Sequence, residues 1–163
     1  NAGLWGYNIG DTVQFTSLKP YRIIVSGRIK HYISAFGEHV IGKEVESALQ
    51  EAIIGTNIRI NEFTVAPQIT PAEGLPYHQW FIEFENEPED SVSFAEALDN
   101  AMRKQNMYYD DLIVGKVLRK VVISKVVKNG FQDYMKSIGK LGGQNKIPRL
   151  SNDRNIVDLL KSK

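Results

Sequence analysis

Residues 58–85 read IRINEFTVAPQITPAEGLPYHQWFIEFE, and this stretch decides the fold. Ile58 to Ile69 is rich in β-branched and aromatic residues, as strands are. Its alternation slips at Asn61-Glu62, which predicts a bulge or bend there. Thr70 to Tyr77 holds Pro71, Gly74 and Pro76 and reads as a loop. His78, Trp80, Ile82 and Phe84 then alternate with Gln79, Phe81, Glu83 and Glu85, the period of a second strand. Two strands in direct succession, each next to a helical pattern, argue against a purely alternating parallel architecture.

Working outward, Val45, Ala48, Leu49, Ala52 and Ile53 fall on one stripe of a helix that Gly55 stops. Short extended pieces, Ile29 to Phe36 and Glu38 to Val40, flank Gly37 ahead of it. On the other side, Asn86 to Asp90 makes an acidic turn, and Ser91 or Ser93 is expected to cap a helix with the stripe Phe94, Ala97, Leu98, Ala101 and Met102. Tyr108 to Gly115 reads as a shorter helical or irregular link, and Arg119 to Lys128 as a valine-rich strand broken by Asn129-Gly130. Phe131, Tyr134, Met135 and Ile138 mark a further helix; Gly139 to Arg149 is a basic, glycine-containing loop; Ile156, Leu159 and Leu160 point to a terminal helix. From residue 31 the order is β-α-β-β-α-β-α, followed by that final helix. This defines an α+β fold, a mixed sheet with helices packed on it, and the run matches the split βαβ order.

Gly3 to Ser26 is different in character. Val13 and Phe15 alternate with polar neighbours, as do Tyr21, Ile23 and Val25, and Ser17 to Pro20 supplies a turn between them. A lone hairpin is marginal in water, so this one is expected to belong to a larger body. Asn1-Ala2 reads as a junction scar and the chain as a piece of a longer protein.

Hydrophobic residues make up 42% of the 163 and charged residues 24%, which permits a sizeable core. The formal net charge of +1 gives no general pull toward nucleic acid or acidic membranes. Cysteine is absent, which excludes disulfides and thiolate metal sites and fits a cytoplasmic protein. No run approaches a membrane span, and no signal peptide is evident. His31, His39 and His78 match no common zinc spacing, so no metal site is assigned to this chain. Glu83, Glu85, Glu87, Glu89 and Asp90 read as a solvated acidic edge.

Three motifs carry chemistry. In Tyr7-Asn8-Ile9-Gly10-Asp11, the aspartate can accept hydrogen bonds from the vicinal hydroxyls of a ribose, and the glycine permits close backbone approach. In Gly27-Arg28-Ile29-Lys30, which leads on to Glu44-Val45-Glu46, the arginine offers a permanently charged fork to ribose or phosphate oxygens. In Gly139 to Arg149, Lys146 provides a compact positive charge on a pliable loop, suited to a phosphoryl oxygen. Taken singly, each also reads as an ordinary turn, strand end or solvated loop.

Together, in order and spacing, they resemble the adenylate-forming superfamily: a Tyr-x-x-Gly-Asp segment, a Gly-Arg hinge ending in Glu-x-Glu, and a lysine in a carboxy-terminal glycine-containing loop. A closer resemblance covers almost the whole chain. Pro20-Tyr21-Arg22, Gly37-Glu38-His39-Val40, Glu62-Phe63-Thr64, His78-Gln79-Trp80 and Gln144-Asn145-Lys146-Ile147-Pro148-Arg149 are similar to the auxin-responsive acyl-acid amido synthetase family. The Gly-Arg-Ile-Lys segment resembles its bacterial branch more than its plant one.

That resemblance implies an ATP-dependent, adenylate-forming acid–amino-acid ligase. Lys146 would be catalytic, and Tyr7, Gly10, Asp11, Arg28 and Lys30 would bind nucleotide. Residues 1–27 would be the end of a large amino-terminal adenylation domain and 28–163 the mobile carboxy-terminal domain, hinged near Arg28 to Lys30. ATP and Mg would be held mainly by the amino-terminal domain, which is this domain's partner. The substrates would be a small carboxylic acid and an amino acid, with no nucleic acid or membrane involved, and this piece alone is expected to be inactive. The alternative is a non-catalytic α+β module that binds a small ligand or a protein.

Overall fold

The computed structural model describes residues 10–28, 32–142 and 145–160. Strands β1 (Asp11–Leu18) and β2 (Tyr21–Arg28) form an antiparallel hairpin, and β3 (Tyr32–Ile33) pairs with β4 (Val40–Ile41). Helix α1 (Gly42–Ile53) leads to β5 (Arg59–Gln68) and β6 (Tyr77–Asn86). Helices α2 (Ser91–Gln105) and α3 (Met107–Val114) precede β7 (Val122–Lys125), and α4 (Gly130–Ser137) follows it. The larger sheet has the order β5-β6-β7, antiparallel between β5 and β6 and parallel between β6 and β7. It is the mixed sheet expected of an α+β fold.

The ladder between β5 and β6 runs in register from Glu62 opposite Glu83 to Gln68 opposite Tyr77. It slips between Arg59 and Glu62, where the alternation breaks in the sequence. Both faces of this sheet are covered. Phe63, Val65, Trp80 and Ile82 pack with Val45, Ala48 and Leu49 of α1 and Phe94, Leu98, Ala101 and Met102 of α2. Ala66 and Phe81 point the other way, into a smaller cluster with Phe131 and Met135 of α4, Ile147, Val157 and Leu160. Alternation therefore sorts residues between two cores rather than between core and solvent.

Several boundaries differ from the sequence reading. The cap of α2 is Asp90, not Ser91 or Ser93: its Oδ1 accepts from the N–H groups of Val92 at 2.8 Å and Ser93 at 3.2 Å. The expected strand over 119–128 contracts to Val122–Lys125, because only Gln79 to Ile82 of β6 offer it partners. The terminal helix is a single 3-10 turn, Val157–Leu159, in which Val157 and the following Leu160 are buried while Leu159 faces solvent. The hairpin β1–β2 exposes Val13, Phe15, Leu18, Tyr21, Ile23 and Val25.

The segment between β3 and α1 is locked by a buried hydrogen bond between Glu38 and His78. Glu38 Oε1 lies 2.9 Å from His78 Nε2, with both side chains sealed from solvent. Glu38 Oε2 accepts from Phe36 N–H at 2.8 Å, and the His78 ring lies 5.2 Å from that of Tyr109. Tyr109 in turn donates its hydroxyl to Asp99 at 2.7 Å, and Asp99 Oδ1 also accepts from Val121 N–H at 3.0 Å. Burial and the neighbouring Asp99 carboxylate push the Tyr109 phenol well above its ordinary pKa. Burial by itself would raise the Glu38 pKa; the hydrogen bond to His78 and the backbone donors outweigh it, so the carboxyl is held below its ordinary 4.5.

A depressed carboxyl pKa contributes stability that is present above pH 4.5 and lost as pH falls through the lowered value. The wild-type protein should therefore unfold at lower denaturant concentration as pH falls through that acid window, with a shallower pH dependence in Glu38→Gln. At pH 7, Glu38→Ala is expected to cost about 2 kcal/mol, because it leaves the buried His78 ring without its hydrogen-bond partner.

Candidate functional site

Lys146 lies on the chain that leaves α4. Gly139 turns the chain at φ +68°, and Lys140 N–H returns to the Met135 carbonyl at 2.9 Å. Gly142 takes φ +89°, a left-handed conformation that favours glycine, in open space where a Cβ would touch nothing. Asn145 donates to the Gly142 carbonyl at 3.3 Å. Lys146 itself is exposed.

The chain is then fastened along the outer edge of β5. Val65 N–H donates to the Arg149 carbonyl and Ser151 N–H to the Val65 carbonyl, each at 3.0 Å. Thr64 donates its hydroxyl to the Pro148 carbonyl at 2.7 Å. Ile147 enters the smaller core and Leu150 the larger one, so the segment crosses the sheet edge with a hydrophobic anchor on each side. The place beside β5 is thus filled by a carboxy-terminal segment in parallel pairing, Val65 with Leu150.

Arg149 gathers two acidic residues. Its Nε lies 3.0 Å from Glu46 Oε1 of α1, and its Nη1 donates to Glu62 Oε1 of β5 and, at 3.3 Å, to the Phe63 carbonyl. The guanidinium carbon sits 4.6 Å from the Phe63 ring centroid. Half-burial works against the guanidinium charge; the Glu62 and Glu46 carboxylates outweigh it and hold the pKa above its ordinary value.

Beside this cluster is a pocket of about 230 Å³ lined by Asn61, Glu62, Glu83, Phe131, Met135, Asn145 and Lys146, among others. Glu83 is buried and is not part of a solvated acidic edge, unlike Glu85, Glu87, Glu89 and Asp90. Its carboxylate accepts from Asn129 N–H at 2.9 Å and Phe131 N–H at 3.4 Å. It thereby caps α4, whose N-cap residue, Asn129 at φ +63°, makes no side-chain cap of its own. Among the described residues, no group of three or more His, Asp or Glu side chains could hold a metal ion. Nor is any helix among them long and apolar enough to cross a membrane.

The remaining sequence-derived residues lie on the hairpin. Gly10 has φ +75° with open space around its α-carbon, so conformation rather than crowding favours glycine there. Asp11 faces Arg28 across the ladder, which brings two of the proposed nucleotide ligands onto one rung. Tyr7 and Lys30 fall outside the described residues. Among the described residues that line the pocket with Lys146, none comes from the hairpin. Sequence reasoning marked Glu46, Glu62 and Arg149 inside separate motifs but missed that they meet. The only available signal was the opposite charge of the glutamates and the arginine. Glu83 was hidden inside a run of carboxylates.

A sheet built around one antiparallel and one parallel pairing, with a basic loop pinned along its free edge, defines the class: a small α+β domain with a mixed sheet. Residues 43–155 match the GH3 family C-terminal domain, and the chain belongs to that family. It superposes on the structure of "GH3.15 acyl acid amido synthetase" with TM-score 0.75 and 17% identity, covering 97% of this chain and 31% of that one. It likewise superposes on "AtGH3.15 acyl acid amido synthetase in complex with 2,4-DB" with TM-score 0.72 and 16% identity, covering 96% of this chain and 30% of that one. The chain thus spans about a third of the length of the solved structures it matches. No curated protein matches it in sequence.

Removing the Glu83 carboxylate should uncap α4. Glu83→Ala is expected to cost about 2 kcal/mol, the penalty for leaving buried donors unpaired. Amide hydrogen exchange should show faster exchange in residues 130–137 than in α1.

Proposed function

We propose that this chain is the carboxy-terminal domain of an ATP-dependent acyl-acid amido synthetase, which adenylates a carboxylic acid and passes the acyl group to an amino acid. The observation that carries this reading is the presentation of Lys146: an exposed ammonium on a glycine-containing turn, immediately before a segment fastened to the sheet edge. Membership of the GH3 family supports it.

In the first half-reaction a substrate carboxylate oxygen attacks the α-phosphorus of ATP and pyrophosphate leaves. Negative charge grows on the non-bridging oxygens, and a pre-positioned cation stabilises it with little reorganisation. Lys146 is assigned that role. Asp11 would accept from the ribose hydroxyls, with Gly10 giving the backbone its turn, and Tyr7, Arg28 and Lys30 would add contacts to the nucleotide. Mg would accompany ATP, held mainly by residues of the amino-terminal adenylation domain, and would offset charge on the phosphates. In the second half-reaction the amine of an amino acid attacks the acyl carbonyl carbon, and AMP leaves with the bonding electrons.

Residues 1–27 are read as the end of the amino-terminal domain, residues 28–163 as the mobile domain, and Arg28 to Lys30 as the hinge between them. A rotation there is absorbed over a few residues and would carry the lysine loop toward or away from the nucleotide. The pairing of Asp11 with Arg28 at the end of the hairpin fits that reading, since it sets a ribose ligand beside the pivot.

The test uses the full-length protein and ATP–pyrophosphate exchange with benzoate, indole acetate and jasmonate as probe acids. Lys146→Ala should reduce exchange by on the order of a hundredfold or more while the thermal unfolding curve stays in place. Undiminished exchange by the folded variant would remove Lys146 from the chemistry. The isolated chain should fold, yet neither exchange pyrophosphate nor bind ATP tightly in a calorimetric titration.

A further inference from the structure

The segment 147–151 is already pinned by backbone pairing with β5 and by the burial of Ile147 and Leu150. The Arg149 guanidinium adds contacts to α1 and β5 on top of that anchorage, which raises the question of what else its charge does. Glu62 lines the same pocket as Lys146, and its Oε1 is committed to Arg149 and to the N–H of Phe63 at 3.0 Å. Glu46 is drawn to the same guanidinium from α1.

We propose that Arg149 is a positioning residue that occupies Glu62, so that Lys146 keeps its ammonium free for a phosphoryl oxygen. This rests on Lys146 acting on the nucleotide. A flexible lysine beside an uncommitted carboxylate pairs with it, and its charge is then spent within the protein. A planar guanidinium suits the blocking role because its fork engages two carboxylates at once and stacks on Phe63, geometry a second ammonium reproduces less well. Arg149 would therefore act through Glu62, without touching substrate.

The decisive measurement is a rescue in the full-length protein, again by ATP–pyrophosphate exchange with the same probe acids. Arg149→Gln should lower exchange by on the order of tenfold, less than loss of the lysine itself. Adding Glu62→Gln to that variant should recover most of the activity, because the competing carboxylate is gone. A merely structural pairing acts through the fraction folded, so exchange is compared at a temperature where the thermal unfolding curves show both variants fully folded, and the double variant would then be no better than Arg149→Gln alone. That outcome, or full activity in Arg149→Gln, overturns the proposal.

If Arg149→Gln does not fold, Arg149→Lys takes its place: it keeps a cation beside Glu62 and should hold exchange within a few-fold of wild type. A folded Arg149→Lys as impaired as Lys146→Ala also overturns the proposal. The two readings fail separately. Normal exchange in Lys146→Ala removes the lysine's role, whereas an inactive Lys146→Ala beside an uncorrected double variant removes only that of Arg149.

Discussion

Closure of the β5 edge by residues 149–151 is the constraint on which the rest of this structure depends. A strand edge presents unpaired backbone donors and acceptors, and leaving them open invites pairing with other chains. Here the Val65 amide and carbonyl are both satisfied by a segment more than eighty residues away in sequence. The same closure seals two hydrophobic cores, through Ile147 on one face and Leu150 on the other. Lys146 is the residue just before this closure, so its position is a by-product of solving a backbone hydrogen-bond problem.

Charge is arranged around that edge with economy. Glu46 comes from the helix that follows the small β3–β4 sheet, Glu62 from the bulged start of β5, and Arg149 from the closing segment. Three elements distant in sequence are tied at one guanidinium. The bulge at Asn61-Glu62 contributes directly, because a slip in alternation re-aims the side chains beside it. On the far side of the pocket, Glu83 spends its carboxylate on the first amides of α4. The two carboxylates bordering Lys146 are thus both engaged with other partners.

Much of the architecture was legible because it rests on period and composition. The stripe of α1, the two long strands, the slip at Asn61-Glu62 and the stripe of α2 follow from residue spacing. The misreadings have a common cause. The length of β7 depends on how far β6 extends beside it, and the terminal turn is held by a core it does not itself form. Asp90 took the cap from Ser91 and Ser93 because its carboxylate could reach two amides at once, which period analysis does not weigh. The candidate site was legible as separate motifs, Gly10-Asp11, Glu44-Val45-Glu46 and Lys146 to Arg149, but not as contacts.

The sequence by itself determined the α+β class, the order of its long elements and the chemical character of its charged and glycine-containing motifs. These are local properties, written in alternation, in helical spacing and in the charge of single side chains. Only the tertiary structure decided that Glu38 would be buried against His78, that Glu83 would cap a helix, and that Arg149 would gather Glu46 and Glu62 at one guanidinium. Such partnerships are chosen by packing: a buried carboxylate must find a donor, and which donor is near depends on how the helices and strands stack on both faces of one sheet.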